Sequence, residues 1–393
     1  MIAPLIVPLL AALPALQDPP SAPVLEPVSS PLQVLYDDGL VFAWDGGELV
    51  LEGLFEVGAG YAVGAEDGTR EPTSDFYLKR ARPELAGAFE GGWRFRVEPK
   101  FTAGEVELEE AWVGRSYTGG TLKVGRMKAP FGLEEVRSRR HIHFPRFSIL
   151  NQFSPAEDHG LFWFGGTDSF EYGAAFYNGT GGADEDDGKD IALRGMLHFG
   201  QDSASPWQLG AAMTWGEQSH EIGGDVVKNA GGNAVVEYAP GVMLDGDRLR
   251  LGLEWAQFQG PWMMQAELAN VSQDVTSGGP STAVGFTGAY FDMARVLSGE
   301  NIDFGGVENP NESWVFALRV SALELDDDLA PFTTTGTFTD SIRSISIGLN
   351  YVPGPHTILR TSWTRSLYGN AVMVGSKSVE EEDLLTVELQ LHF

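Results

Sequence analysis

Six basic residues fall close together between Arg126 and Arg146: Arg126, Lys128, Arg137, Arg139, Arg140 and Arg146. Only Glu134 and Glu135 oppose them there. The whole chain has 26 Lys and Arg against 55 Asp and Glu, a net charge of −29. A local cation cluster can still set its own field. Charges farther away than a Debye length, roughly 8 Å at physiological ionic strength, are largely screened. Rings of Arg and Lys attract anions, and the planar guanidinium fork matches the oxygens of a phosphate-like group. This cluster is therefore a candidate anion-binding set. Arg94, Arg96 and Lys100 alternate with apolar residues and could extend a basic path along one strand face. His141 and His143 could add charge at acidic pH. The structural alternative is a solvated loop face, with Arg137, Arg139 and Arg140 paired to Glu134 and Glu135.

Other chemistry has little support. His141-x-His143 has no partner ligands at metal-site spacing, so no metal is expected. Asp184-Glu-Asp-Asp-Gly188 resembles a calcium loop only locally. Its sixth position is Lys189 and its twelfth is Gly195. No phosphate loop, nucleophile elbow or dinucleotide fingerprint occurs, so neither an enzyme nor a cofactor is expected. The acidic balance argues against nucleic-acid binding. There are no cysteines, hence no disulfide framework. The acidic runs Ala183–Asp187, Asp326–Asp328 and Glu380–Asp383 read as solvated loops, able at most to hold divalent cations against lipid head groups.

The elements that must position the basic cluster are strands. In Asp383–Phe393, Leu385, Val387, Leu389, Leu391 and Phe393 alternate with Thr386, Glu388, Gln390 and His392. Period two marks a strand with two unlike faces. In a membrane barrel one face meets lipid and the other the lumen, and Glu388 would be costly toward lipid, so the Phe393 face should point outward. Similar segments recur along the chain, sixteen to eighteen in all, and 49 Gly and 43 aromatic residues suit turns and interfacial girdles. No run of eighteen apolar residues follows the amino terminus, so no helical span is expected. Short joints such as Glu90–Gly92 and Pro353–Pro355 suit one end of a barrel; longer ones such as Ser298–Glu312 suit the other. Met1–Leu16 reads as a signal peptide without a basic start, Gln17–Asp38 as a Pro-rich linker, and residues 39–393 as the barrel. Ala129–His159 lacks alternation yet contains Phe131, Phe144, Phe147, Ile149, Leu150 and Phe153. A loop so apolar needs a surface, and a barrel offers its inner wall. The expected fold is thus all-β: a transmembrane antiparallel β-barrel of about 16 strands, with a long third loop folded into the lumen.

An ordered set of motifs resembles one family. Gly125–Glu135, with Ser138, Phe144, Ser148, Asn151, Phe153, Pro155 and Gly160, resembles the inward loop of the phosphate-selective porin O and P family. Lys79–Arg82 with Glu84 and Gly87 is similar to its early Arg-rich strand. Gly260-Pro-Trp262 with Gln265 and Glu267, Ser298–Glu300 with Phe304, Trp314–Arg319 with Leu323, Gly348–Tyr351 and Leu389–Phe393 follow in family order. The resemblance implies a sixteen-stranded bacterial outer-membrane porin, usually trimeric, passing small anions such as phosphate without a cofactor. The chain departs from the family pattern at Phe147, where Arg is common, and at Pro155-Ala-Glu157, where Pro-Gly-Arg is frequent. The other classes to weigh are a non-transporting surface barrel (adhesin or anchor) and a soluble secreted β-protein.

Overall fold

The computed structural model describes residues 32–36, 39–63, 75–102, 104–181, 188–222, 224–229, 234–374 and 377–393. The signal peptide, the linker apart from residues 32–36 and the acidic run 183–187 lie outside the described residues. Two short strands come first, β1 (Gln33–Tyr36) and β2 (Leu40–Trp44). Then follow β3 (Gly47–Val63), β4 (Asp75–Phe89), β5 (Trp93–Phe101), β6 (Val106–Tyr117), β7 (Gly120–Lys128), β8 (Glu157–Thr167), β9 (Phe170–Tyr177), β10 (Asp190–Phe199) and β11 (Trp207–Glu221). After a hairpin, β12 (Gly224–Lys228) and β13 (Ala234–Tyr238), come β14 (Met243–Gln259), β15 (Trp262–Thr276) and β16 (Thr282–Val296). A second small hairpin, β17 (Ile302–Asp303) and β18 (Gly306–Val307), precedes β19 (Ser313–Leu325), β20 (Ser341–Gly354), β21 (Thr357–Val374) and β22 (Lys377–His392).

Sixteen of these, β3–β11, β14–β16 and β19–β22, pair antiparallel in sequence order. Pairing of β22 with β3, from Asp383↔Val63 to His392↔Leu54, closes the barrel and leaves no long edge. Phe393 and Gly53 exchange backbone hydrogen bonds at 2.8 and 3.1 Å. Gly53 suits this seam because a Cβ there would stand 2.6 Å from the Phe393 ring. Below the seam β2 takes over the same edge of β3, from Leu40↔Leu51 to Trp44↔Gly47, and β1 pairs with β2.

Burial follows the alternation, with the usual polarity inverted. On β22, Glu388 and Gln390 are 1% and 0% exposed, whereas Leu385 and Val387 are 45% and 46% exposed. Polar residues line the inside and apolar ones cover the outside, as a lipid-facing wall requires. The expected register, with the Phe393 face outward, is what the barrel adopts.

Two insertions fill one side of the interior. The β12–β13 hairpin and the short 3-10 turn Asp327–Phe332 join inner-wall residues in an apolar core that includes Val227, Val235, Leu329 and Ile342. At the opposite end the β17–β18 hairpin buries Ile302 and packs Phe304 edge-on against Phe258, 4.7 Å between centroids. The connection Ser298–Glu312 therefore lies with the short turns, and not among the long loops as its length suggested. Strand parity decides this: β16 ends and β19 begins at the same end as residues 90–92 and 355–356.

Candidate functional site

The segment 129–156 between β7 and β8 contains α1 (Leu133–Val136) and the 3-10 turns Arg139–His141 and Asn151–Phe153. Buried inner-wall groups hold it by its backbone. The Glu267 carboxylate accepts the Leu133 and Glu134 amides at 2.6 and 2.9 Å, satisfying the open start of α1. Arg319 binds Asp292 through both carboxylate oxygens (2.7 and 2.6 Å), Glu134 at 2.5 Å and the Arg146 carbonyl at 3.1 Å. Arg360 donates to the Ile142 and Arg140 carbonyls at 2.7 and 3.0 Å, and Asn350 to the His143 carbonyl at 2.8 Å. Lys79 donates to the Pro145 carbonyl. The apolar residues serve the same end. Phe131 and Leu150 cluster with Ala212, Ala269 and Tyr290. Gly288 leaves the room that Leu150 occupies, since a Cβ there would meet its Cδ1 at 2.7 Å.

Two cavities border this segment, one beside β21, β22, β3 and β4 and the other beside β3–β6. One, about 290 Å³, is bordered by Lys79, Arg80, Arg139, Arg146, Lys228 and Arg360, with Glu56 and Glu388. The other, about 320 Å³, is bordered by Arg82, Arg96, Lys128, Arg137, Arg139 and Arg140, with Glu52, Glu84, Glu98 and Glu110. Arg139 belongs to both. Val136 links the second to a wide cavity of about 1540 Å³ near the short turns.

The six basic residues singled out from the sequence have different surroundings. Lys128 donates to the Glu135 carbonyl at 2.7 Å and pairs with its carboxylate at 3.1 Å. Arg137 is buried, donates to Gln265 at 2.6 Å and lies 4.4 Å from the centre of the Phe304 ring. Arg139 lies 4.2 Å over the Phe147 ring, with Glu135 at 3.8 Å. Arg140 pairs with Glu52 at 2.5 Å. Arg146 is exposed, and its side chain makes no ion pair among the described residues. Arg126 stands apart. It sits opposite His159 on the β7 face that carries exposed Val124, and it bonds the Leu108 and Gly181 carbonyls. The structure thus gathers five of the six beside the cavities.

Sequence reasoning passed over Arg80 and Arg82 as site residues. They sit two apart on the inward face of β4, and that spacing was the available signal. Arg80 pairs with Glu56 at 2.8 Å; Arg82 pairs with Glu98 and, at 2.9 Å, with Glu109. Arg96 and Lys100 also face inward, paired with Glu84 (3.0 Å) and Glu107 (2.6 Å). The cations are thus interleaved with carboxylates. The histidines add no charge near neutrality. Burial first, then His392 and Arg137, depress His141 to about 4, and burial pushes His143 well down too. His141 is 6.0 Å from His392, which is 5.6 Å from His356.

A closed sixteen-stranded antiparallel barrel with an apolar exterior, a charged interior and internal cavities is the fold of an outer-membrane porin. The family model of the phosphate-selective porins O and P matches residues 55–390, so the chain belongs to that family and resides in the bacterial outer membrane. None of the curated proteins matches it. Similar solved structures include the outer membrane channel DcaP of Acinetobacter baumannii (13% identity, 88% of this chain and 98% of that one, TM-score 0.58). Another is the trimer form of OmpT, an outer membrane protein of Vibrio cholerae (12%, 89% and 100%, TM-score 0.58). A third is the anion-selective porin of Comamonas acidovorans (12%, 88% and 100%, TM-score 0.55). At such identities the likeness is one of fold.

Proposed function

We propose that the channel passes small anions, and that segment 129–156, folded inward, narrows the lumen to a passage along β21, β22 and β3–β6. One observation carries this reading: Arg139 borders both cavities, flanked by Arg80 and Arg82 on the wall and Arg137 and Arg140 on the segment. At the long-loop end the β12–β13 hairpin and the turn Asp327–Phe332 fill the lumen beside β14–β16 and β19–β21 with apolar side chains, which turns solutes toward the cationic side. In so narrow a space the interleaved carboxylates lower the positive field without reversing it, because bordering cations outnumber bordering acids in each cavity. Anions are drawn in and leave again because no site binds them too tightly. The family and the trimeric relative support a homotrimer in the outer membrane. Phosphate is one candidate solute.

The test is the reversal potential of the purified trimer in a planar bilayer under a KCl gradient. Anion preference is expected. Replacing Arg137, Arg139 and Arg140 by Ala should weaken that preference, with Arg139→Ala giving most of the change. Cation preference in the unaltered protein refutes the reading.

A further inference from the structure

We infer that the passage favours organic anions carrying an aromatic or apolar body, such as aromatic carboxylates, over inorganic phosphate. This rests on the anion-channel reading above. The 290 Å³ cavity has two unlike sides. The barrel side presents Lys79, Arg80 and Arg360, whose charges are already met by buried Glu56 and Glu388. Phosphate entering there must compete with two carboxylates for the same donors, and it must shed tightly held water to do so. The segment side presents Phe147, which is partly exposed and borders the cavity. Arg139 covers part of that ring from 4.2 Å.

Arg146, next in the chain, supplies a cation with no ion-pair partner among the described residues. A cation with no ion pair among the described residues, beside an aromatic surface, matches a carboxylate that carries a ring. The carboxylate meets Arg146 while the ring packs on Phe147, an arrangement that gains from contact between aromatic groups. The volume is that of about ten waters, enough for a single ring without a large solute. An inorganic oxyanion gains nothing from Phe147, and a small aliphatic acid such as acetate gains little.

The experiment compares benzoate, acetate and phosphate as blockers of chloride current through the purified trimer in planar bilayers. Benzoate should reduce the current at concentrations roughly 2- to 10-fold below acetate and phosphate, the range expected of one aromatic contact. Phe147→Ala should erase the benzoate advantage, and Phe147→Leu should keep only part of it. Phe147→Arg should invert the order in favour of phosphate. Single-channel conductance and heat-modifiable migration identify variants that remain folded, and Phe147→Leu, which keeps most of the volume, serves if Phe147→Ala does not fold. Phosphate blocking at or below the benzoate concentration in the unaltered channel overturns the inference, as does an undiminished benzoate advantage in a folded Phe147→Ala or Phe147→Leu trimer. Anion preference without a benzoate advantage defeats only this inference; cation preference in KCl defeats the anion reading beneath it.

Discussion

Replacing Arg319 by Met should release segment 129–156 without opening the barrel. Arg319 is 3% exposed and joins Asp292, Glu134 and the Arg146 carbonyl, one inner-wall strand to two parts of the segment. Its loss strands two buried carboxylates. Removing one partner of a buried ion pair typically costs about 3–5 kcal/mol. At about 1.4 kcal/mol per tenfold, the docking equilibrium shifts by roughly 10²- to 10⁴-fold. Part of this cost falls on the wall, where Asp292 on β16 faces Arg319 on β19, but the backbone ladders run unbroken through β16, β19 and β20 and keep the barrel closed. The assay is single-channel recording: Arg319→Met should give larger and noisier conductance while heat-modifiable migration stays normal. The companion Glu134→Leu/Asp292→Leu/Arg319→Met removes the stranded charges too. It should recover much of the docking, because a wholly apolar replacement of a buried ion cluster is often nearly neutral. Unchanged conductance and noise in Arg319→Met would refute the claim that this cluster holds the segment. Equal disruption in the triple variant would place the effect in lost geometry instead of stranded charge.

Two further predictions concern pH and lipid. His141 is depressed from the ordinary histidine value to about 4 by burial and neighbouring cations, so it is neutral at pH 7 and stays so to about pH 5. A folded value below the unfolded one means that the docked state loses stability as pH falls from 6.5 toward 4, with charge acquired only near 4. Selectivity should therefore hold steady between pH 7.5 and 5.5, and His141→Gln should blunt any change below pH 5; reversal potentials measured across that range decide. On the outer wall, Leu389→Arg puts a charge on the lipid face and should cost about 2–4 kcal/mol if near mid-bilayer, whereas Gln390→Asn on the inner face should leave insertion intact. Reversible denaturation in lipid vesicles compares the two, and equal losses would show that Leu389 does not face lipid.

The wall was legible in the chain because a strand carries its instruction locally. Every second residue of β22 states its solvent, so fold and outward face follow from alternation alone. The ends of the barrel were less legible. The length of Ser298–Glu312 placed it among the loops, but which end a connection occupies depends on how many strands precede it. Arg80 and Arg82 carry the right spacing, yet only the approach of Arg139 makes them part of a passage. The same holds for the basic cluster. Arg126 looks like its first member in sequence, but it lies within β7 on the face of exposed Val124, whereas Lys128, at the strand's end, turns in to Glu135. What Glu267, Arg319 and Arg360 do for segment 129–156 could not be read at all, because each acts on residues more than one hundred positions away.

The seam between β3 and β22 has a kinetic consequence. Its partners are far apart in the chain; Lys79 on β4 reaches Glu388 across 309 residues. Contacts of such separation form slowly, since a very long loop must be closed before they contribute. Until β22 arrives, the growing sheet has two unpaired edges and an apolar outer face, the combination most prone to aggregation. The chain therefore depends on being kept apart from its neighbours in transit. Closure at Gly53 and Phe393 is the event after which the barrel no longer needs such protection.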